Sequence, residues 1–444
     1  MENHRAQIED ANFVDLVVKD NEPHFLSTRF LPQKGIVLQL DKVVNGVSPP
    51  PRAAIPWGLP RYEAVEEAFY NDTPERLFED TLIHLRERVG LGSRGEYVLV
   101  ASHISHTYFL QRFTYSPMLG IYGPKEDSGK SLLGQTVAFA SYRGIVLPSV
   151  REAYLVRITE AGGCFLFIDF EDVEFALKQS GTAKDLILSR FQRGSRVPRI
   201  TNPKAKGSLE SIDHYETFGP TAWATNVPVK PTTESRSIVL TMTQAERTYP
   251  EPDEGAGLRL RERYVAFVAR SKSSWNTIPS LRRPFLNRLG NLAGPLIFMV
   301  EWMAPKYLDD LLQVLTEKEQ ERTAERSSSD EADLAAAAIQ AWVKGGKAPE
   351  VATAEIATIF NADRGSYPWS ADRVGKRIRN LGLKPGASRR ARRTLEVNET
   401  GARDLARRWG IDFEAIDSTP VAGGNGQDKG NLPSTLALVE VGKS

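Results

Sequence analysis

The residues best suited to do chemistry lie between Pro117 and Leu133, in the stretch PMLGIYGPKEDSGKSLL. A short apolar run leads into a Gly/Pro-punctuated loop, and Gly129-Lys130-Ser131 then opens an apolar segment. That order suits phosphate, because loop N–H groups converge on an anion and a helix N-terminus adds its positive dipole end. In such a loop Lys130 reaches the β- and γ-phosphates and the Ser131 hydroxyl holds Mg²⁺, with Gly123, Pro124, Ser128, Gly129 and Leu132 completing the cradle. The usual spacing leaves four residues between the first Gly and the Gly-Lys pair. Here Pro124 occupies that Gly's place and Gly123 comes one position early, so the loop is either one residue longer or not a phosphate loop. The competing reading is an ordinary strand-to-helix turn, with Ser128 as N-cap and Lys130 in solvent.

A second candidate follows at Cys164-Phe165-Leu166-Phe167-Ile168-Asp169, a buried-type strand ending in a carboxylate. An acid at the end of an apolar strand beside a phosphate loop holds Mg²⁺, and a neighbouring acid orients the attacking water. Asp169 fits the first role; Phe170 stands next to it, so Glu171 or Asp172 is the candidate base. The competing reading is a helix N-terminus decorated with acids for dipole reasons. Further on, Gly219–Asn226 reads as a strand ending in Thr-Asn. Asn226, with Thr225 as runner-up, is the polar group that could position water, although a turn Asn before Val-Pro explains it equally well. Arg236 stands just before the strand Ile238–Met242, where a guanidinium could reach a nucleotide on a neighbouring subunit; the alternative is a surface arginine.

These residues need a scaffold, and the alternation of buried strands with helices across 117–250 predicts a mainly parallel α/β sheet covered on both faces. Residues 1–60 read as a β-rich or linker region, with strands at Phe25–Leu31 and Gly35–Leu40 and an extended Pro49-Pro50-Pro51. Residues 61–116 read as a helical lead-in, with Thr73-Pro74 as helix start and a second helix over Glu96–Phe113. His103 and His106 on that helix have metal-like spacing but no third ligand, so packing explains them better. Residues 251–326 are helical with a break at Gly294-Pro295, and charge-dense sequence then marks a domain boundary. Residues 334–413 give three short helices, a basic hairpin and a final helix, the pattern of a winged helix-turn-helix. Lys376, Arg377 and Arg379 on its third helix, with Arg389, Arg390, Arg392 and Arg393 behind, form a positive field suited to DNA phosphates; a solvated basic face or protein-docking surface is the alternative. Residues 418–444, Gly/Asn-rich, read as a disordered tail.

The 444 residues are 41% hydrophobic and 25% charged, ordinary for a globular chain, and the net charge of +1 hides basic residues concentrated late. A single cysteine, Cys164, excludes disulfides within the chain and a cysteine-based zinc site, and suits a reducing cytoplasm. The charged N-terminus lacks the apolar core of a signal peptide, and no apolar run approaches a membrane span.

Several features line up in order: Gly-Pro-x4-Gly-Lys-Ser at 123–131, the strand 166–169, Phe191-Gln192-Arg193-Gly194-Ser195, Phe218-Gly219-Pro220 with Ala224, and Ser235-Arg236-Ser237-Ile238. Together they resemble a family of P-loop ATPases of phages, plasmids and other mobile elements, related to AAA-like, superfamily 3-type replicative helicases and often attached to primase-type domains. In that family the loop is also one residue longer and contains Pro. The likeness is close over 75–250 and loose to the winged-helix region, where Pro368-Trp369 precedes the basic helix. It implies a P-loop NTPase core with helical extensions and a C-terminal winged helix, and an ATP- and Mg²⁺-dependent helicase or translocase acting on DNA as a homo-oligomeric ring, with a primase or other replication protein as a further expected partner. The family usually carries Asp-Glu where this chain has Asp169-Phe170, which leaves the base open and admits an alternative, a nucleotide-dependent DNA-binding regulator or defence protein that does not unwind.

Overall fold

The computed structural model describes residues 13–418 apart from 126, 148–150, 171–172, 174–182, 201–210, 245–246, 273–280, 328, 363–367 and 387–393; at 160–162, 287, 323–327 and 379–380 the backbone alone is described. The candidate bases Glu171 and Asp172, the arginines 389, 390, 392 and 393 and nearly all of the 418–444 tail therefore lie outside the described residues, as does the Arg379 side chain. The chain divides into two units, Met1–Glu319 and Gln320–Ser444.

The first unit is organised around a five-stranded sheet built from β4 (Met118–Tyr122), β5 (Ile145–Leu147), β6 (Leu166–Asp169), β9 (Thr221–Thr225) and β10 (Ser237–Thr241), in spatial order β10-β4-β9-β6-β5. Every pairing in it is parallel. Apolar runs such as Leu166-Phe167-Ile168 are buried throughout, as expected for strands covered on both faces. Helix α4 (Lys130–Ala140) follows β4 and packs across β4, β5, β6 and β9. Its outer side is covered by α8 (Glu254–Ser271), by α2 (Pro74–Arg88) and, more lightly, by α3 (Arg94–Thr107). The Thr73 hydroxyl accepts from the Arg76 N–H with Pro74 in the first turn, so α2 begins as its sequence predicts. His103 and His106 are buried on α3. His103 Nε2 pairs with the Pro117 carbonyl (3.0 Å) and His106 Nε2 with the Ser116 hydroxyl (3.0 Å), so both are packing residues.

Three further features depart from the sequence reading, the first only in part: the strands expected at Phe25–Leu31 and Gly35–Leu40 are found, and an unexpected strand precedes them. An N-terminal antiparallel meander, β1 (Phe13–Lys19), β2 (Glu22–Leu31) and β3 (Gly35–Asp41), belongs to the same apolar core as the parallel sheet. Its first strand escapes a hydrophobic reading because Asp15 interrupts it; that carboxylate is buried against Arg143, with Nε and Nη2 at 2.8 and 2.7 Å from Oδ1. The sequence from Leu186 reads as a helix ending at Gly194, but the helix found is α6 (Ala183–Ser189), followed by an antiparallel pair, β7 (Arg196–Ile200) and β8 (Ile212–Glu216). Finally, Pro295 does not break the chain where expected: α9 (Asn287–Met303) runs through it. Proline removes one helical hydrogen bond, but Leu292, Ala293, Leu296, Ile297, Met299 and Val300 are all essentially inaccessible, and their burial outweighs that loss. The interruption falls instead at Ala304-Pro305, before α10 (Leu308–Ser327), within which the two units divide.

The second unit runs α11 (Asp330–Lys344), β11 (Glu350–Ala352), α12 (Thr353–Phe360), α13 (Ala371–Asn380), β12 (Lys384–Pro385), β13 (Thr394–Glu396), α14 (Glu399–Trp409) and α15 (Phe413–Asp417). Its strands form a small antiparallel sheet, order β11-β13-β12, over a core of its own that includes Ile339, Trp342, Ile356, Val374, Ile378 and Leu405.

Candidate functional site

The loop between β4 and α4 closes on itself. The Gly123 N–H donates to the Thr225 carbonyl (3.2 Å), tying the loop's first residue to the end of β9. A Cβ on Gly123 would lie 2.6 Å from the Ser128 Oγ and 3.2 Å from the Lys130 Cδ, so only glycine lets the loop fold back this tightly. Gly129 sits at φ +81°, the left-handed region, immediately before the helix. No side chain caps α4 and no acid lies in its first turn, which leaves its leading N–H groups available to an anion. The ordinary-turn reading put Ser128 at the cap and Lys130 in solvent. Instead Lys130 is 8% exposed, and its ammonium is turned into the loop, donating to the Lys125 carbonyl (2.7 Å) and the Ser128 Oγ (2.9 Å). Among the described residues no carboxylate pairs with it. A cation held by one carbonyl and one hydroxyl can exchange both for phosphate oxygens, a stronger charge-assisted bond.

Asp169 stands on the same side of the sheet as α4. In β6 it shares a face with Phe167, and the Phe167 ring presses on α4 so closely that a Cβ on Gly134 would come within 1.9 Å of it. The register Asp169↔Ala224 and Ile121↔Ala224 places Asp169 level with the last turns of β4, two strands away. At about 4.8 Å per strand that separation is about 10 Å, room for a phosphate chain and a hydrated ion between them. The Asp169 carboxylate is half-buried and makes no side-chain hydrogen bond among the described residues, and the exposed Ser131 hydroxyl makes none either. A carboxylate and a hydroxyl of this kind fit Mg²⁺, which keeps several waters and takes its remaining ligands from substrate phosphate. No cluster of three His, Cys, Asp or Glu suited to a metal occurs among the described residues, so an ion here would depend on the nucleotide.

β9, lying between β4 and β6, brings its own end to the site. The buried Thr225 Oγ1 accepts from the Val227 N–H (3.3 Å) and more distantly from the Val173 N–H (3.5 Å), so it holds the local backbone. Asn226, half-buried and next in the chain, has no side-chain partner among the described residues and lies beside Gly123. Between the two polar candidates, the structure leaves Asn226 the free one.

Arg236 is elsewhere. Its carbonyl accepts from the Met118 N–H (3.0 Å), at the amino end of the sheet, whereas the loop springs from the carboxyl end. Five paired residues of β4 and β10 separate the two, about 17 Å at 3.3 Å per residue, which puts its own loop out of reach.

In the second unit, α13 buries Val374 and Ile378 and exposes Arg373, Lys376 and Arg377. The Arg373 guanidinium stacks on Trp369 at 3.9 Å, and Asn361 bonds both the N–H and the carbonyl of Trp369 at 2.8 Å, fixing the approach to the helix. Lys376 pairs with Asp372 (2.9 Å) and Arg377 with Glu331 (3.7 Å). Exposed pairs of this kind contribute about 0–1 kcal/mol, too little to withhold either cation from a phosphate.

No protein-family profile matches the chain, and no curated protein is similar to it in sequence. Among the described residues no helix is long and apolar enough to cross a membrane.

Proposed function

We propose that this protein is an ATPase of the P-loop class that couples nucleotide hydrolysis to movement along or unwinding of DNA, as a ring-forming helicase or translocase in the replication of a mobile genetic element. The single observation that carries the reading is the placement of Lys130 and Asp169 on one side of one end of a parallel sheet, where α/β folds bind their ligands. The triphosphate would lie against the amides ahead of α4, and Lys130 would leave Lys125 and Ser128 for the β- and γ-oxygens. Ser131 and Asp169 would hold Mg²⁺, which when bound neutralises charge on those oxygens. Asn226 would orient the attacking water, Glu171 or Asp172 would take its proton, and Arg236 would act on the nucleotide of an adjacent subunit, since its own is out of reach. The helix–strand–helix–helix–hairpin order of the second unit, with Arg373, Lys376 and Arg377 facing outward, supports a winged helix-turn-helix that contacts DNA backbone.

Phe170 favours a second reading, a nucleotide-dependent DNA-binding regulator that does not unwind. It stands half-buried where a carboxylate would help activate water, and its N–H lies 3.4 Å from the Ala224 carbonyl. A forked-duplex assay with ATP separates the two: strand displacement abolished by Lys130→Ala supports the motor, whereas DNA binding with no displacement supports the regulator. Unchanged ATP affinity in Lys130→Ala would remove both.

A further inference from the structure

Arg236 does not stand alone at the amino end of the sheet. Arg288, in the first turn of α9, lies close enough that its charge, after burial, lowers the pKa of the Arg236 guanidinium. The two are held apart from carboxylates: Arg236 donates to the Thr232 carbonyl (2.6 Å), Arg288 donates to the Ser235 Oγ (3.2 Å) and sits over the Phe191 ring at 5.5 Å, and neither has an acidic partner among the described residues. Every one of these partners is neutral. Two guanidinium groups kept side by side without an anion repel one another, and the arrangement is relieved when an anion binds both. Beside them Leu286 is 83% exposed, a large apolar side chain facing outward at the start of the same helix.

We infer that Arg288 joins Arg236 in a two-arginine receptor for the terminal phosphate of a nucleotide held by a second copy of this chain. The inference rests on the proposed nucleotide site and adds a residue to it. A subunit's own loop lies about 17 Å away at the other end of the sheet, so the phosphate that reaches this pair must come from another copy docked head to tail. A head-to-tail contact is heterologous and gives a ring when its rotation closes, and in it Leu286 would be covered. Arg236, half-buried and anchored to Thr232, fixes the depth of the site; Arg288, exposed and backed by Phe191 and Ser235, supplies the second fork.

The test mixes variants of the full chain. Arg288→Ala keeps an intact loop but offers its neighbour a damaged receptor, while Lys130→Ala offers an intact receptor but has a disabled loop. Arg288→Ala alone is expected to bind a fluorescent ATP analogue as the wild type does, to melt at the wild-type temperature because the side chain is exposed, and to lose at least about 10-fold in turnover, below the 10³-fold or more typical of an arginine finger because Arg236 remains. Mixed in equal amounts with Lys130→Ala, half the loops are competent and half of those meet an intact receptor, so turnover per chain should recover to about a quarter of wild type. Wild-type turnover in Arg288→Ala overturns the inference, and so does a loss that mixing fails to rescue, which would mean action within one subunit. A wild-type protein that binds no ATP fails at the earlier step and sinks the nucleotide site itself, taking this receptor with it.

Discussion

Asp169→Asn tests the site most directly, because the structure separates its functional consequence from its structural one. The carboxylate ends β6, is half-buried and has no side-chain hydrogen bond among the described residues. Asparagine has the same shape, so the fold should hardly notice the exchange: a change within about 0.5 kcal/mol, too small to move the melting temperature by more than a degree or two. Its effect on a bound divalent ion is different. A carboxylate one water removed, about 4 Å from a doubly charged ion, contributes roughly 2 kcal/mol at the dielectric of water and roughly 8 kcal/mol at an effective value of 20. A half-buried group lies between these limits, and the lower one alone weakens Mg²⁺ dependence about 30-fold. The assay is steady-state ATP hydrolysis titrated with Mg²⁺, alongside thermal melting. Hydrolysis that saturates at the wild-type Mg²⁺ concentration and rate would refute the reasoning, and a melting temperature lowered by many degrees would make Asp169 a structural residue instead.

Other consequences follow from the same geometry. Asp15→Asn leaves the fully buried Arg143 guanidinium without its carboxylate, and breaking such a pair costs about 3–5 kcal/mol, a fall of roughly 5–10 °C in the melting temperature of a unit this size; a shift under a degree would show the meander is not anchored there. Burial holds His84 and His103 at about 4 and pushes His106 well below its ordinary range. Because the unfolded chain takes up these protons near pH 6.5, stability is full above that value and falls by about 1.4 kcal/mol per histidine for each pH unit between 6.5 and about 4. Melting temperatures measured from pH 7 to 5 should drop, and less steeply in His103→Gln; a flat profile would contradict the burial. Lys376→Ala and Arg377→Ala should each weaken DNA binding across all sequences and reduce the slope of log affinity against log salt by about 1; an unchanged slope would take α13 out of the DNA contact.

How far the fold could be read from the chain depended on whether the information was local. α12, at Thr353–Phe360, is one of the three short helices read in 334–413, and β6 ends at Asp169 as its apolar run requires. The tight strand-to-helix turn was legible too, since Gly123 and Gly129 each meet a local steric demand. What was hidden depends on partners far along the chain. Asp15 makes β1 look polar until Arg143, 128 residues later, takes its charge. Pro295 looks like a helix break until its buried neighbours are seen on every side. Asn226 was already preferred over Thr225 from the sequence; what was hidden is the insertion of β9 between β4 and β6, which brings residues a hundred positions apart to one edge of the loop, and the backbone duty of the Thr225 hydroxyl. Arg236 was legible as a candidate, but its distance from its own loop appears only once β10 is paired with β4.

The two ends of the sheet differ in how their polar groups are satisfied, and that difference separates stability from function. At the amino ends, most buried polar groups are bonded internally, with the His103 Nδ1 and Ser141 Oγ as exceptions. Arg143, before β5, takes Asp15; Arg190 bonds the Thr221 and Thr159 hydroxyls and the Cys164 and Pro220 carbonyls; His103 and His106 hold the approach to β4. At the carboxyl ends, Ser131, Asp169 and Asn226 lack side-chain partners among the described residues, and Lys130 has only neutral ones. Partly exposed groups of this kind can be met by water, and on the proposed reading a ligand completes them instead. By the same criterion Arg236 and Arg288 stand out at their own end, a cationic pair whose partners among the described residues are all neutral. On the proposed reading, the loop of one copy and the arginine pair of the next would hold the same terminal phosphate.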